Sequence, residues 1–207
     1  MHPNPAYRYV QPDRNLQFAA DTGFGVLAVA GEDGMPLLSH IPFVIEEGRV
    51  LFHLVRSNPI ARVLKSPTPA KLAVQGPHSY ISPDWYGIDD QVPTWNYVAV
   101  HLSGPAELLP QDDLLAVLEK LSDRFESKLA PKPIWKTAKM PAEPLDRLMR
   151  QIVPCAMDLA DVQGTWKLTQ NKVDSARLGA AEGVAVHGLG TGLPELAALM
   201  RNPPVQE

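Results

Sequence analysis

The sequence predicts a mainly β protein with helices: a barrel of antiparallel strands that carries a helical segment. Three observations lead there. The first half reads as strand after strand with short links, the middle is amphipathic at helical period, and an alternating stretch after the helices returns to the sheet. All 207 residues fit one domain, 1–207, with a helical elaboration at about 111–153 and a return strand at about 155–168.

Pro12 and Asp13 predict a helix start that ends by Gly23 or Gly25. Phe24 to Ala30, "FGVLAVA", reads as a buried strand, and Asp33-Gly34 is a hairpin signal. "LLSHIPFVIE" and "RVLFHLV" form the next pair of strands, split by Glu47-Gly48. Ile60, Val63 and Leu64 recur at helical spacing, which predicts a short helix before the strand "AKLAVQG". "GPHSYISPDWYG" reads as a proline-broken rim loop, and "YVAVHLSGPAELL" as a further strand. Leu114, Leu118, Leu121, Phe125 and Leu129 make one helical stripe, and Leu145, Leu148, Met149 and Ile152 another. A glycine-bearing tail follows, with Gly183, Gly188, Gly190 and Gly192 before the short helix "PELAALM"; it matches neither GxGxxG nor a Walker loop.

Composition excludes several classes. The net charge of −4 gives no basic field for nonspecific nucleic-acid binding. A single cysteine, Cys155, allows neither an internal disulfide nor a multi-cysteine metal site, and its place beside Pro154 predicts burial. The N-terminus lacks the apolar core of a signal peptide, and no run approaches the roughly 20 apolar residues of a membrane span. The expectation is a soluble, cytoplasmic protein.

The chemistry gathers in four stretches. In "HLVRSNP", Arg56 can fork two hydrogen bonds onto a phosphate and Asn58 can cap the following helix; the alternative is a capped helix with a surface arginine. In "SHIPFV", His40 faces away from the side that Ile41 and Phe43 bury, and His53 lies in the pairing strand. These histidines suit a ligand hydrogen bond or a structural role, since no Cys or carboxylate completes a metal set. In "PTWNY", Trp95 and Tyr97 face one way and Asn96 the other, so a flat face and an amide sit at one strand end. In "GTWKLTQNK", Trp166 and Lys167 take opposite sides, followed by Gln170, Asn171 and Lys172. Either Trp95 and Trp166 close packing corners, or they wall one ligand site. There is no G-x-S-x-G elbow, and His78, Ser79, Ser82 and Asp84 lie too close in sequence to form a triad on one strand.

In order along the chain, "YVQPDRN", "SHIPFV", "HLVRSNP", "VQGPHSYISPDWYG", "VPTWNYVAVHLSG", "GTWKLTQNK" and "GVAVHGL" resemble the PaiB-type FMN-binding negative transcriptional regulator family, within the FMN-binding split-barrel fold. The resemblance covers nearly the whole chain. It implies a six-stranded split barrel, a homodimer and an FMN site at the subunit interface. By that resemblance Arg56 and Asn58 belong to the phosphate end, and His40 and His53 to strands near the flavin. Trp95, Asn96, Trp166, Lys167, Gln170, Asn171 and Lys172 belong to the same cofactor site. The chain departs from the family in the short acidic loop "IDDQ" and in "IVPCAMDL", where a Gly-Phe is more usual. A flavin carries its own redox chemistry, so two further readings stand beside the regulator: a flavin-dependent oxidoreductase, and a haem-binding barrel using His40 or His53. No helix-turn-helix is recognisable.

Overall fold

The computed structural model describes residues 1–204. Eight strands and six α-helices follow one another as α1 (Pro12–Thr22), β1 (Phe24–Ala30), β2 (Pro36–Glu46), β3 (Arg49–Val55), α2 (Pro59–Val63), β4 (Thr68–Ile81), β5 (Thr94–Leu108), α3 (Leu114–Glu126), α4 (Ala142–Met149), β6 (Ile152–Asp158), β7 (Asp161–Lys167), α5 (Asp174–His187), β8 (Gly190–Thr191) and α6 (Leu193–Arg201). The chain forms two compact units. Unit 1 holds Met1–Phe18, Val74–His101 and Val162–Glu207, and unit 2 holds Ala19–Ala73 and Leu102–Asp161. The long strands β4 and β5 contribute to both.

Unit 2 is an antiparallel sheet in the order β5, β6, β3, β2, β1, β4. β4 and β5 also pair with each other and close a pairing circuit; the resemblance implies six strands, whereas the described residues form eight. In unit 1, β8 pairs with β4 at His78 and Ser79, and β7 lies beside β5. The Glu47-Gly48 turn works as its composition suggests. Both residues have positive φ, 50° and 77°, between the last pairs Glu46↔Arg49 and Ile45↔Val50, which is the backbone a tight two-residue hairpin needs. Val44, Leu51 and Ala156 pack against Val117 and Leu121 of α3. The α3 stripe is thus turned from the predicted one: Val117 is buried, whereas Leu118 is half-buried and Leu129 exposed. α4 buries no residue completely, and Ile152 belongs to β6 rather than to its stripe. Cys155 is buried as expected, and burial pushes its thiol up to about 12.

Unit 1 has its own core. Ile81, Val98, Trp166 and Leu168 pack with Ala176, Ala180, Ala181 and Val184 of α5 and with Leu196, Ala197 and Met200 of α6. Three expectations are corrected here. β4 runs on through Pro77 to Ile81, so "GPHSYI" is strand and only Pro83–Tyr86 forms a helical turn. The return segment is two strands, β6 and β7. The glycine-bearing tail opens with the 14-residue helix α5. Its glycines have a packing reason: a Cβ on Gly183 would lie 2.3 Å from Trp85 Cδ2, and one on Gly179 2.5 Å from the Trp85 carbonyl oxygen. Among the described residues no helix is long and apolar enough to cross a membrane.

Two tests follow. Alanine in place of a mid-helix glycine ordinarily stabilises a helix by about 1 kcal/mol. Gly183→Ala is expected to reverse that sign and cost about 1–3 kcal/mol, because Trp85 must leave its seat. A urea midpoint equal to or above that of the unaltered protein would refute the packing role. The second concerns His53, which lies opposite Pro154 in the β3–β6 pair and whose buried Nδ1 has no hydrogen-bond partner. Burial lowers its pKa below the usual 6.5. Below that value the unfolded chain binds a proton that the native ring refuses, so stability falls as pH drops from the unfolded pKa towards the folded one. Denaturation midpoints measured from about pH 7.5 to about pH 5 should show this slope, and His53→Leu should flatten it.

Candidate functional site

The residue types singled out from sequence fall into two groups, one in each unit. In unit 2, β1 and β2 pair so that Phe24, Val26, Ala28 and Ala30 lie opposite Pro42, His40, Leu38 and Pro36 on one face of the sheet. Phe24 is 51% and Leu38 61% exposed. The His40 ring stacks on Phe24 at 6.4 Å and 29°, which makes a flat, open surface. The other side of β2 carries Ser39, whose hydroxyl accepts from Asn58 Nδ2 at 3.1 Å. Asn58 Oδ1 accepts from the Ile60 amide at 2.9 Å and so caps α2.

Arg56 follows β3 and is exposed, yet it is not loose. Its Nε donates to the Arg150 carbonyl at 2.9 Å, and its Nη2 to Gln111 Oε1 at 2.8 Å and the Ile152 carbonyl at 3.2 Å. All three acceptors are neutral. The guanidinium is therefore held in place, and among the described residues it makes no ion pair and its Nη1 no hydrogen bond. His53 stands apart as a half-buried ring of β3 whose pKa burial lowers.

In unit 1 the strand alternation of β5 splits the "TWN" motif. Trp95 is 48% exposed and Asn96 1%. Trp95 joins Tyr80 at 6.2 Å, edge to face, and His78 at 6.0 Å in an aromatic surface. Asn96 turns inward, where its Nδ2 donates to Thr169 Oγ1 at 2.7 Å and to Met200 Sδ at 3.5 Å. Its Oδ1 is buried without a partner.

The second motif splits as well. Trp166 is 3% exposed in the unit 1 core, and its indole N–H donates to Asn15 Oδ1 at 2.7 Å. Gln170 is spent on backbone: it donates to the Ala6 carbonyl at 3.0 Å and the Trp166 carbonyl at 2.5 Å, and its Oε1 accepts from the Leu168 amide at 2.7 Å. Lys167, Asn171 and Lys172 instead line a polar cleft of about 340 Å³ together with Asn96. So Trp95 lies on an exposed aromatic surface, Trp166 packs a corner, and the cations and amides share a third place.

Sequence reasoning missed other walls of that cleft, among them Tyr7, Tyr86 and Thr169. From sequence Tyr7, with Tyr9 near the N-terminus, fits either a cover over a neighbour's surface or an ordinary arm. The available signal was only its place among aromatics, since nothing local announces which lysine it will meet. Thr169 has φ 66°, a left-handed backbone that no threonine prefers, and sequence gives no sign of it. Among the described residues no His, Cys, Asp and Glu group could hold a metal.

With this geometry in hand, comparison with known proteins gives a consistent result. A family model described as "Putative FMN-binding domain" matches residues 1–161. "Protease synthase and sporulation protein PAI 2" of Bacillus subtilis is 30% identical over 180 residues, covering 85% of each chain. Among solved structures, a FAD and heme binding protein from Mycobacterium smegmatis superposes with TM-score 0.58 at 16% identity, over 89% of this chain and 82% of that one. A conserved hypothetical protein from Mycobacterium tuberculosis gives 0.57 at 14%, over 84% and 94%. At such identities the structures speak for the fold, which is the split barrel. The chain therefore belongs to the FMN-binding domain family, as a PaiB-type member.

Proposed function

We propose that this protein binds FMN as a homodimer and acts as a negative transcriptional regulator. The observation that carries the cofactor reading is Arg56. Three neutral acceptors hold its guanidinium, among the described residues no carboxylate pairs with it, and the Phe24–His40 surface lies in the same unit. A fork of that kind recognises a phosphate bidentately, and a stacked aromatic pair suits a flat ring. The residues therefore fit a phosphorylated flavin. Bound flavin would supply electron-transfer chemistry of its own, while the chain orients the ring and its phosphate.

The homodimer is supported by the outer face of β1 and β2. Phe24, Val26, Ala28, Leu38 and Pro42 make it apolar, with His40 its one ionisable member, and two adjacent strands present it together. A large exposed apolar patch of this kind marks an interface, and a two-fold axis would pair it with itself. The regulatory role rests on PaiB-type membership, with a protein partner the better fit to a net charge of −4 than DNA alone.

The purified protein is expected to show the visible bands of oxidised flavin; a Soret band in their place would replace flavin by haem. Arg56→Ala should weaken FMN roughly tenfold to a hundredfold while riboflavin, which lacks the phosphate, changes little, since hydrogen bonds to charged groups are worth about 1.5–3 kcal/mol. Equal losses for both ligands would remove Arg56 from the phosphate site. For the assembly, Leu38→Lys should convert a dimer into a monomer in sedimentation velocity. A mutant still dimeric, or a parent already monomeric, would exclude this face.

A further inference from the structure

We propose that the polar cleft of unit 1 is a second ligand site, distinct from the flavin surface, that takes a small hydroxycarboxylate. Its two cations face neutral groups. Lys167 Nζ donates to Thr94 Oγ1 at 2.5 Å and stands 5.8 Å from the Tyr7 ring centroid. Lys172 Nζ donates to Gln91 Oε1 and lies 4.7 Å from the Tyr86 ring centroid. Among the described residues neither ammonium makes an ion pair, although Asp90 also borders the cleft. Two lysines with only hydroxyl, amide and ring partners gain from an incoming anion, because charge-assisted hydrogen bonds are about twice as strong as neutral ones. Partial burial, which already lowers the Lys167 pKa, strengthens that attraction.

Asn96 supplies the second, independent observation. It is 99% buried, it borders the cleft, and its Oδ1 has no protein partner. The amide orientation is fixed by its neighbours: the thioether of Met200 only accepts, so Nδ2 belongs on that side and Oδ1 is the atom left over. An unpaired buried carbonyl oxygen calls for a donor. The ligand therefore carries an O–H beside its anionic group, which is the pattern of a hydroxy acid. The backbone is built around this arrangement, since the left-handed Thr169 places its hydroxyl against Asn96 Nδ2 and its carbonyl accepts from the Lys172 amide at 3.1 Å.

The site is separate from a ring-stacking surface because of strand geometry. Successive side chains of β5 point to opposite faces, so a ring lying on Trp95 does not reach the amide of Asn96. A volume of about 340 Å³ also lies at the lower end of ligand pockets, which suits a compact acid.

The test compares malate with succinate, which differ by one hydroxyl, on the full-length protein as purified, by calorimetry at matched ionic strength in chloride. Saturable malate binding is expected, at least tenfold tighter than succinate, with the visible spectrum of bound flavin unchanged. Lys172→Met should weaken malate at least tenfold. Lys167→Met gives a second reading should the first variant fold poorly. No saturable malate binding, or equal binding of malate and succinate, overturns the proposal. So does mutual displacement of malate and FMN, which would make the cleft part of the flavin site. Each of those results leaves FMN binding itself intact, whereas an absence of FMN binding alongside malate binding would sink only the flavin reading.

Discussion

Unit 1 depends on one buried amide. Asn15, 3% exposed, accepts from the Trp166 indole at 2.7 Å and donates to the Val10 carbonyl at 3.0 Å. It fits only because position 164 is glycine, where a Cβ would stand 2.0 Å from Asn15 Oδ1. Leaving one member of such a buried set unpaired costs about 1–3 kcal/mol, so Asn15, Gly164 and Trp166 act together. The consequence is positional. β7 is tied to the N-terminal segment, Gln170 adds a tie to the Ala6 carbonyl, and Tyr7 arrives beside Lys167. The "GTWKLTQNK" stretch thus spends Gly164, Trp166 and Gln170 on structure and presents Lys167, Asn171 and Lys172.

The same division of labour governs β5. A strand has two faces, and "TWN" uses both: an indole outward with Tyr80 and His78, an amide inward against Thr169. Gly76 permits β4 to lie close, since a Cβ there would meet Phe18 at 2.5 Å and Val98 Cβ at 3.0 Å. Motif residues adjacent in sequence therefore serve different chemistry. This is why a single ligand cannot be read from the motif as a block.

Most elements were legible because their signals are local. The start of α1 at Pro12 and its end before Gly23, with φ 63°, follow from proline and glycine chemistry, and Glu47-Gly48 from hairpin geometry. β4 was cut short because its alternation changes phase: Ala70, Leu72 and Val74 are buried, then Pro77, Ser79 and Ile81, with an extra residue between at Gln75–Gly76. A bulge of that kind breaks a period-two pattern and makes the segment look like loop. α5 was hidden because its buried face is Ala176, Ala180 and Ala181, too small to raise an apolar stripe among its glycines. In the site, the residue types and the opposed faces of Trp95 and Asn96 were legible from alternation. The depth of Trp166, the anchored fork of Arg56 and the tyrosine walls were not, because each depends on contacts from distant parts of the chain, such as Arg56 with Arg150 and Trp166 with Asn15.

The distribution of charge gives the site assignments their weight. This is an acidic chain, with 23 Asp and Glu against 19 Lys and Arg, so carboxylate partners are plentiful. Some of the cations find them: Arg49 with Asp158, Lys120 with Glu46, Arg124 with Asp21, Lys136 with Asp123, Arg201 with Glu182. Each exposed pair contributes little stability, about 0–1 kcal/mol. Arg56, Lys167 and Lys172 are instead held by neutral oxygen acceptors. A cation fixed in place and unneutralised in an acid-rich molecule loses side-chain entropy without gaining an ion pair. That arrangement is rational where an anion from outside completes it: a phosphate at Arg56, a carboxylate between the two lysines.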